Sequence, residues 1–164
     1  MGIKFIRIMI QRIQSIYLGL IFILVGVMAF LPLVIFHAGD HVFYMNIFRF
    51  EGASTLPFAQ QLPNIWPIAI LAALLGTLAG ISIFRYNNRK QQLKINMFNM
   101  LINFGLLVAI FLYADQVAQL ATVSDKVTYD IAAYIPVITV LLLILSNRSI
   151  RKDDKLVRES DRLR

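Results

Sequence analysis

Two groups of side chains have the types and spacing for chemistry. His37, Asp40 and His41 form an H-x-x-D-H cluster. Two imidazoles and a carboxylate suit a divalent cation, or a water activated by one. Three residues on one loop also fit a titrating polar rim, which is the simpler reading. Asn96, Asn99 and Asn103 fall at i, i+3 and i+7, on one face of a helix. Amides on such a face either bond a neighbouring helix or line a polar path. No G-x-S-x-G, H-E-x-x-H or P-loop pattern occurs in the chain. There is no cysteine, which excludes disulfides, thiolate metal sites and thiol catalysis. No cofactor is expected.

The elements that carry these groups are membrane helices. The chain has 164 residues, 59% hydrophobic and 15% charged. An average soluble domain is about 25% charged. The apolar residues come in blocks long enough to cross a bilayer, whose hydrocarbon core is about 30 Å thick. The expected fold is an all-α membrane protein with four transmembrane helices, at about 15–36, 65–84, 95–113 and 130–146. Short extended segments are expected in the two outer loops, at 41–50 and 121–129, with a pairing between them. The organisation is a transmembrane domain, 1–146, followed by a basic cytoplasmic tail, 147–164.

The first block competes with a signal peptide, since basic residues precede it. Its apolar core is longer than a signal's central region, and no A-x-A-like site follows. Pro32 is placed in its last turn, where a lost backbone bond costs least. Gly19 and Gly26 lie on one face, open to close approach by another helix. Residues 1–8 are either an extension before a true start at Met9 or an amphipathic lead-in on the membrane surface. In the second block Ala72, Gly76 and Gly80 recur every four positions. Lipid is as apolar as leucine, so helices associate where small side chains let backbones meet. Packing within one molecule is favoured over a dimer face. The fourth block is short, with Pro136 near its start.

Charge orients the bundle. Lys4, Arg7 and Arg12 precede the first block, and Arg85, Arg89, Lys90 and Lys94 join the second to the third. Arg148, Arg151, Lys152, Lys155, Arg158, Arg162 and Arg164 follow the fourth. These are all but Arg49 and Lys126 of the 16 basic residues, so both termini are expected in the cytoplasm. The net charge of +7 therefore points to anionic lipid and not to nucleic acid. Arg12, Arg148, Arg151, Lys152, Lys155 and Arg158 form the expected cytoplasmic contact surface. A contact between the ends, for example Arg12 with Asp154, is also expected. Within 15–36, 65–84, 95–113 and 131–146 no Asp, Glu, Lys, Arg or His occurs, which argues against a proton-coupled carrier.

Two stretches resemble a known family. MIQRIQSIYL (9–18) and LSNRSIRKDDKLVRESDRLR (145–164) resemble the ends of an uncharacterised bacterial family of small four-span membrane proteins, a domain of unknown function. The resemblance implies an inner-membrane location and a start at Met9. It carries over no catalytic or binding residues. Three functions follow from the residues. The first is a non-catalytic scaffold or accessory subunit acting on membrane lipids and a protein partner or second copy. The second is a small permease or channel for a neutral or lipid-like molecule, lined by Asn96, Asn99 and Asn103. The third is an enzyme using His37, Asp40 and His41.

Overall fold

The computed structural model describes residues 2–39, 41–54, 56–85, 88–121 and 127–162, with side chains from Ile13 onward except 153–154 and 156–162. Four helices dominate: α1 (Gly2–Met28), α2 (Trp66–Phe84), α3 (Arg89–Leu120) and α4 (Ile131–Arg162). Four strands lie between them: β1 (Val34–Ala38), β2 (His41–Met45), β3 (Phe50–Glu51) and β4 (Val127–Tyr129). Each helix packs on its neighbours in sequence, and α4 closes on α1. Local signals start the helices. The Asn88 side chain accepts from the Gln91 N–H at 3.2 Å and caps α3. Asn64 Oδ1 accepts from the Trp66 N–H at 3.0 Å, and a proline occupies the first turn of α2.

A repeating 4-3 spacing places the core. The buried positions are 14, 18, 21, 25 and 28 on α1, and include 68, 72, 75, 79 and 82 on α2. On α3 they include 92, 96, 99, 103, 106 and 110, and on α4 they include 139, 143, 146 and 150. A period of 3.5 keeps one seam on its partners when helices wrap left-handed. The outer surfaces are also apolar: Ile23, Ile70, Leu101, Phe104, Leu112 and Leu141 are all exposed. Trp66–Phe84, Arg89–Leu120 and Ile131–Lys152 are each long and apolar enough to cross a membrane. The described apolar part of α1, Ile13–Met28, is shorter.

The sheet is antiparallel, in the order β3-β2-β1-β4. Gly39 turns the β1–β2 hairpin at φ 59°, a conformation that glycine takes without a steric penalty. Val34, Phe36, Phe43 and Met45 alternate onto the buried face. The Phe36 and Phe43 rings stack at 4.9 Å, and Phe58 meets Phe43 edge-on at 5.9 Å. Each buried phenylalanine stabilises this cap by about 1.5–3 kcal/mol.

The expected all-α fold is therefore corrected by a four-stranded sheet. The apolar run predicts a first helix over 15–36, but the helix ends at Met28 and residues 34–38 are a strand. Pro32 lies past the helix end, where its ring disfavours further helix. The apolar run continues because Val34 and Phe36 are buried, and burial alone does not separate strand from helix. The sheet also corrects the expected pairing. β4 hydrogen-bonds to β1 in the register Val34↔Tyr129, and β2 lies on the other side of β1. α3 exceeds the expected 95–113 at both ends. α4 runs unbroken from Ile131 to Arg162, through the point where the tail is expected to begin. Ile150 is fully buried, so packing persists into the basic segment.

Candidate functional site: the polar seam

The end of the seam near Arg85 and Asn88 is polar. α3 contributes Gln92, Asn96, Asn99 and Asn103, all facing the bundle interior. The three asparagines are 0% exposed. Asn96 ties three helices together: its Oδ1 accepts from Ser82 Oγ on α2 at 2.7 Å, and its Nδ2 donates to Ser146 Oγ on α4 at 3.2 Å. Gln92 Nε2 donates to the Ser82 carbonyl at 3.1 Å. One layer further in, Asn103 Nδ2 donates to Thr139 Oγ1 at 2.8 Å and to the Pro136 carbonyl at 3.1 Å. Thr139 Oγ1 donates to the same carbonyl at 2.9 Å. Toward the sheet the seam turns apolar, with Leu106, Ile110, Ala114 and Val117 on α3 and Val25 and Met28 on α1.

Several amide atoms in the seam are buried without a hydrogen-bond partner among the described residues. They are both atoms of Asn99, Oδ1 of Asn103, Oε1 of Gln92 and Nε2 of Gln14. Among the described residues no ionisable side chain is buried. The seam can therefore donate and accept hydrogen bonds, but its described side chains hold no acid or base for proton transfer.

The small residues of α2 face α1. A Cβ added to Gly76 would meet Val25 Cγ1 at 3.4 Å, and one added to Gly80 would meet Phe22 Cδ2 at 3.9 Å. Ala72 is buried in the same core. A Cβ added to Gly19 or Gly26 would meet nothing within 4 Å, so these two face outward.

The histidine cluster does not converge. In the hairpin register His37 pairs with Val42 and His41 with Ala38. Side chains alternate along a strand, so the two imidazoles project from opposite faces. Asp40 lies outside the described residues. Among the described residues no three His, Cys, Asp or Glu side chains could hold a metal. Of the basic contact surface, Arg148, Arg151, Lys152 and Lys155 are placed on α4, and all four are exposed. The Arg12, Asp154 and Arg158 side chains lie outside the described residues, and so does the expected contact between the ends.

Where the sheet meets α3, Tyr129 packs against Phe111 at 5.1 Å. Burial pushes its phenol above the ordinary value of 10.0, and the neighbouring Asp115 and Tyr134 add to this.

Sequence spacing does not single out the other polar seam residues Gln14, Ser82, Gln92, Thr139 and Ser146. The heptad is the available signal: Gln92 lies one turn before Asn96, and Thr139 and Ser146 are seven residues apart.

These features define a four-helix bundle with a hydrogen-bonded polar seam at one end and a small antiparallel sheet over the other. The chain belongs to the family described as a domain of unknown function (DUF4293), whose model matches residues 10–163. No curated protein and no solved structure matches the chain.

Proposed function

We propose that this chain is a bacterial inner-membrane protein with four spans and both termini in the cytoplasm. It acts there as a non-catalytic scaffold or accessory subunit, through protein and lipid contacts. The observation that carries the reading is the use of Asn96 and Asn103 as ties between helices, in a seam with no buried ionisable group among the described residues. Such ties hold helices in register and leave few groups for transport or chemistry. The apolar outer surfaces of the bundle favour lipid as solvent. The α1 helix supports a fourth span despite its short apolar part, because its 27 residues extend about 40 Å. The basic residues near 85–94 and 148–155 belong to the end of the bundle opposite the sheet. The positive-inside tendency puts that end in the cytoplasm and the sheet outside.

Removing residues 153–164 tests the scaffold reading. The cut spares Ile150, which is buried. Affinity purification in mild detergent should then lose co-purifying proteins that the full chain retains. An unchanged partner set would count against the reading.

One observation favours the permease reading: both amide atoms of Asn99 are buried without a partner among the described residues. Replacing Asn96, Asn99 and Asn103 together with leucine would abolish flux of a neutral solute in that case. Flux that survives in a folded triple variant removes it.

A further inference from the structure

Asn99 lies between two asparagines that have found partners. Asn96 bonds to Ser82 and Ser146, and Asn103 bonds to Thr139 and Pro136. Asn99 itself has neither amide atom paired among the described residues, although its side chain is fully buried. Asn103, one turn further along, keeps its Oδ1 unpaired as well. Residues at i and i+4 on a helix have Cβ atoms about 5–6 Å apart. Two polar atoms bridged by one water lie at a similar separation, since each hydrogen bond is about 2.8 Å long.

We infer that Asn99 and Asn103 form a buried water-binding site inside the bundle. One water accepts from Asn99 Nδ2 and donates to Asn103 Oδ1. Asn99 Oδ1 accepts from a second water in the same layer. The chemistry selects water over the alternatives. A cation would meet amide oxygens with no buried carboxylate among the described residues, and an unpaired charge in such an interior is strongly disfavoured. An apolar guest would leave both amides unpaired. The buried seam positions Leu18, Ala79 and Leu143 on the other three helices carry no polar side-chain atom. Buried waters typically make about three hydrogen bonds to groups left unsatisfied in this way. The site would put water well inside a span, and it would make the Asn99 layer the most easily exchanged part of the α3 seam.

The test uses the full chain, nitrogen-15 labelled, in lipid nanodiscs. The Asn99 side-chain NH2 should show a cross-peak to water of the sign given by a long-lived, immobilised molecule. Asn99→Leu should abolish that peak. It should also leave the melting temperature unchanged or raised by several degrees, because the unpaired amide and its waters leave together. An Asn99 NH2 without a water cross-peak, or with a scalar coupling to a protein carbonyl, would overturn the inference. A clear fall in melting temperature in a folded Asn99→Leu protein would also contradict it. If that variant does not fold, the wild-type spectrum decides alone.

Discussion

Asn103 on α3 donates a 2.8 Å hydrogen bond to Thr139 on α4, and both side chains are fully buried. The same Asn103 nitrogen reaches the Pro136 carbonyl, which Thr139 also contacts. Three residues thus lock α3 against α4 in mid-bundle, next to the proline inside α4. Interhelical bonds in membrane proteins average about 0.6 kcal/mol and reach about 1.7. Asn103→Leu should therefore destabilise the bundle by about 0.6–1.7 kcal/mol. A double-mutant cycle with Thr139→Val in a reversible detergent unfolding assay should give a coupling of about 0.6 kcal/mol. Zero coupling would mean the pair is not a tie.

The two glycine faces should respond in opposite ways. A Cβ added to Gly76 would lie 3.4 Å from Val25 Cγ1 on α1. Gly76→Val should overpack that contact and cost about 1–3 kcal/mol. Val25→Ala in the same chain should recover part of the loss. Gly19 has nothing within 4 Å of the same position, so Gly19→Ala should stabilise α1 by about 0.5–1 kcal/mol through reduced backbone entropy. Thermal melts of the three variants check both effects.

Tyr129 links the sheet to α3 through Phe111 and carries a raised pKa. The cause is burial first, then Asp115 and Tyr134. A raised pKa favours the neutral phenol in the folded state. Its contribution to stability is therefore complete below the unfolded value and lost as pH climbs through the folded one. As pH rises above about 10 the wild type should lose stability more steeply than Tyr129→Phe. Melts of both proteins over that range, together with tyrosinate absorbance, measure the difference.

How much of this was legible in the sequence differs by element. The expected second span, 65–84, coincides with α2 to within a residue, because its apolar run begins at Trp66–Pro67 and ends before charged residues. The asparagine face was legible from its i, i+3, i+7 spacing, since only one side of a helix can carry that pattern. Its partners were not, because Ser82, Thr139 and Ser146 are small residues that are common in helices of either environment. β1 was hidden for a physical reason: Val34 and Phe36 are buried, so they extend an apolar run that already belongs to α1. The unbroken α4 was hidden by its change of character. Its core-facing positions pass from Leu143 through Ser146 to Ile150 while the exposed ones turn from apolar to basic. The convergence that a metal reading of His37 and His41 requires fails on the pleat of the hairpin, which sequence spacing alone does not reveal.

The most direct test of the proposed membrane orientation uses the chain's lack of cysteine. Ser54 is exposed in the segment after β3, and Lys152 is exposed on α4 at the opposite end of the bundle. Single variants Ser54→Cys and Lys152→Cys would be treated with a membrane-impermeant maleimide in intact spheroplasts. Labelling of Ser54→Cys at once, and of Lys152→Cys only after permeabilisation, is the predicted result. Immediate labelling of Lys152→Cys, or protection of Ser54→Cys until permeabilisation, would contradict it.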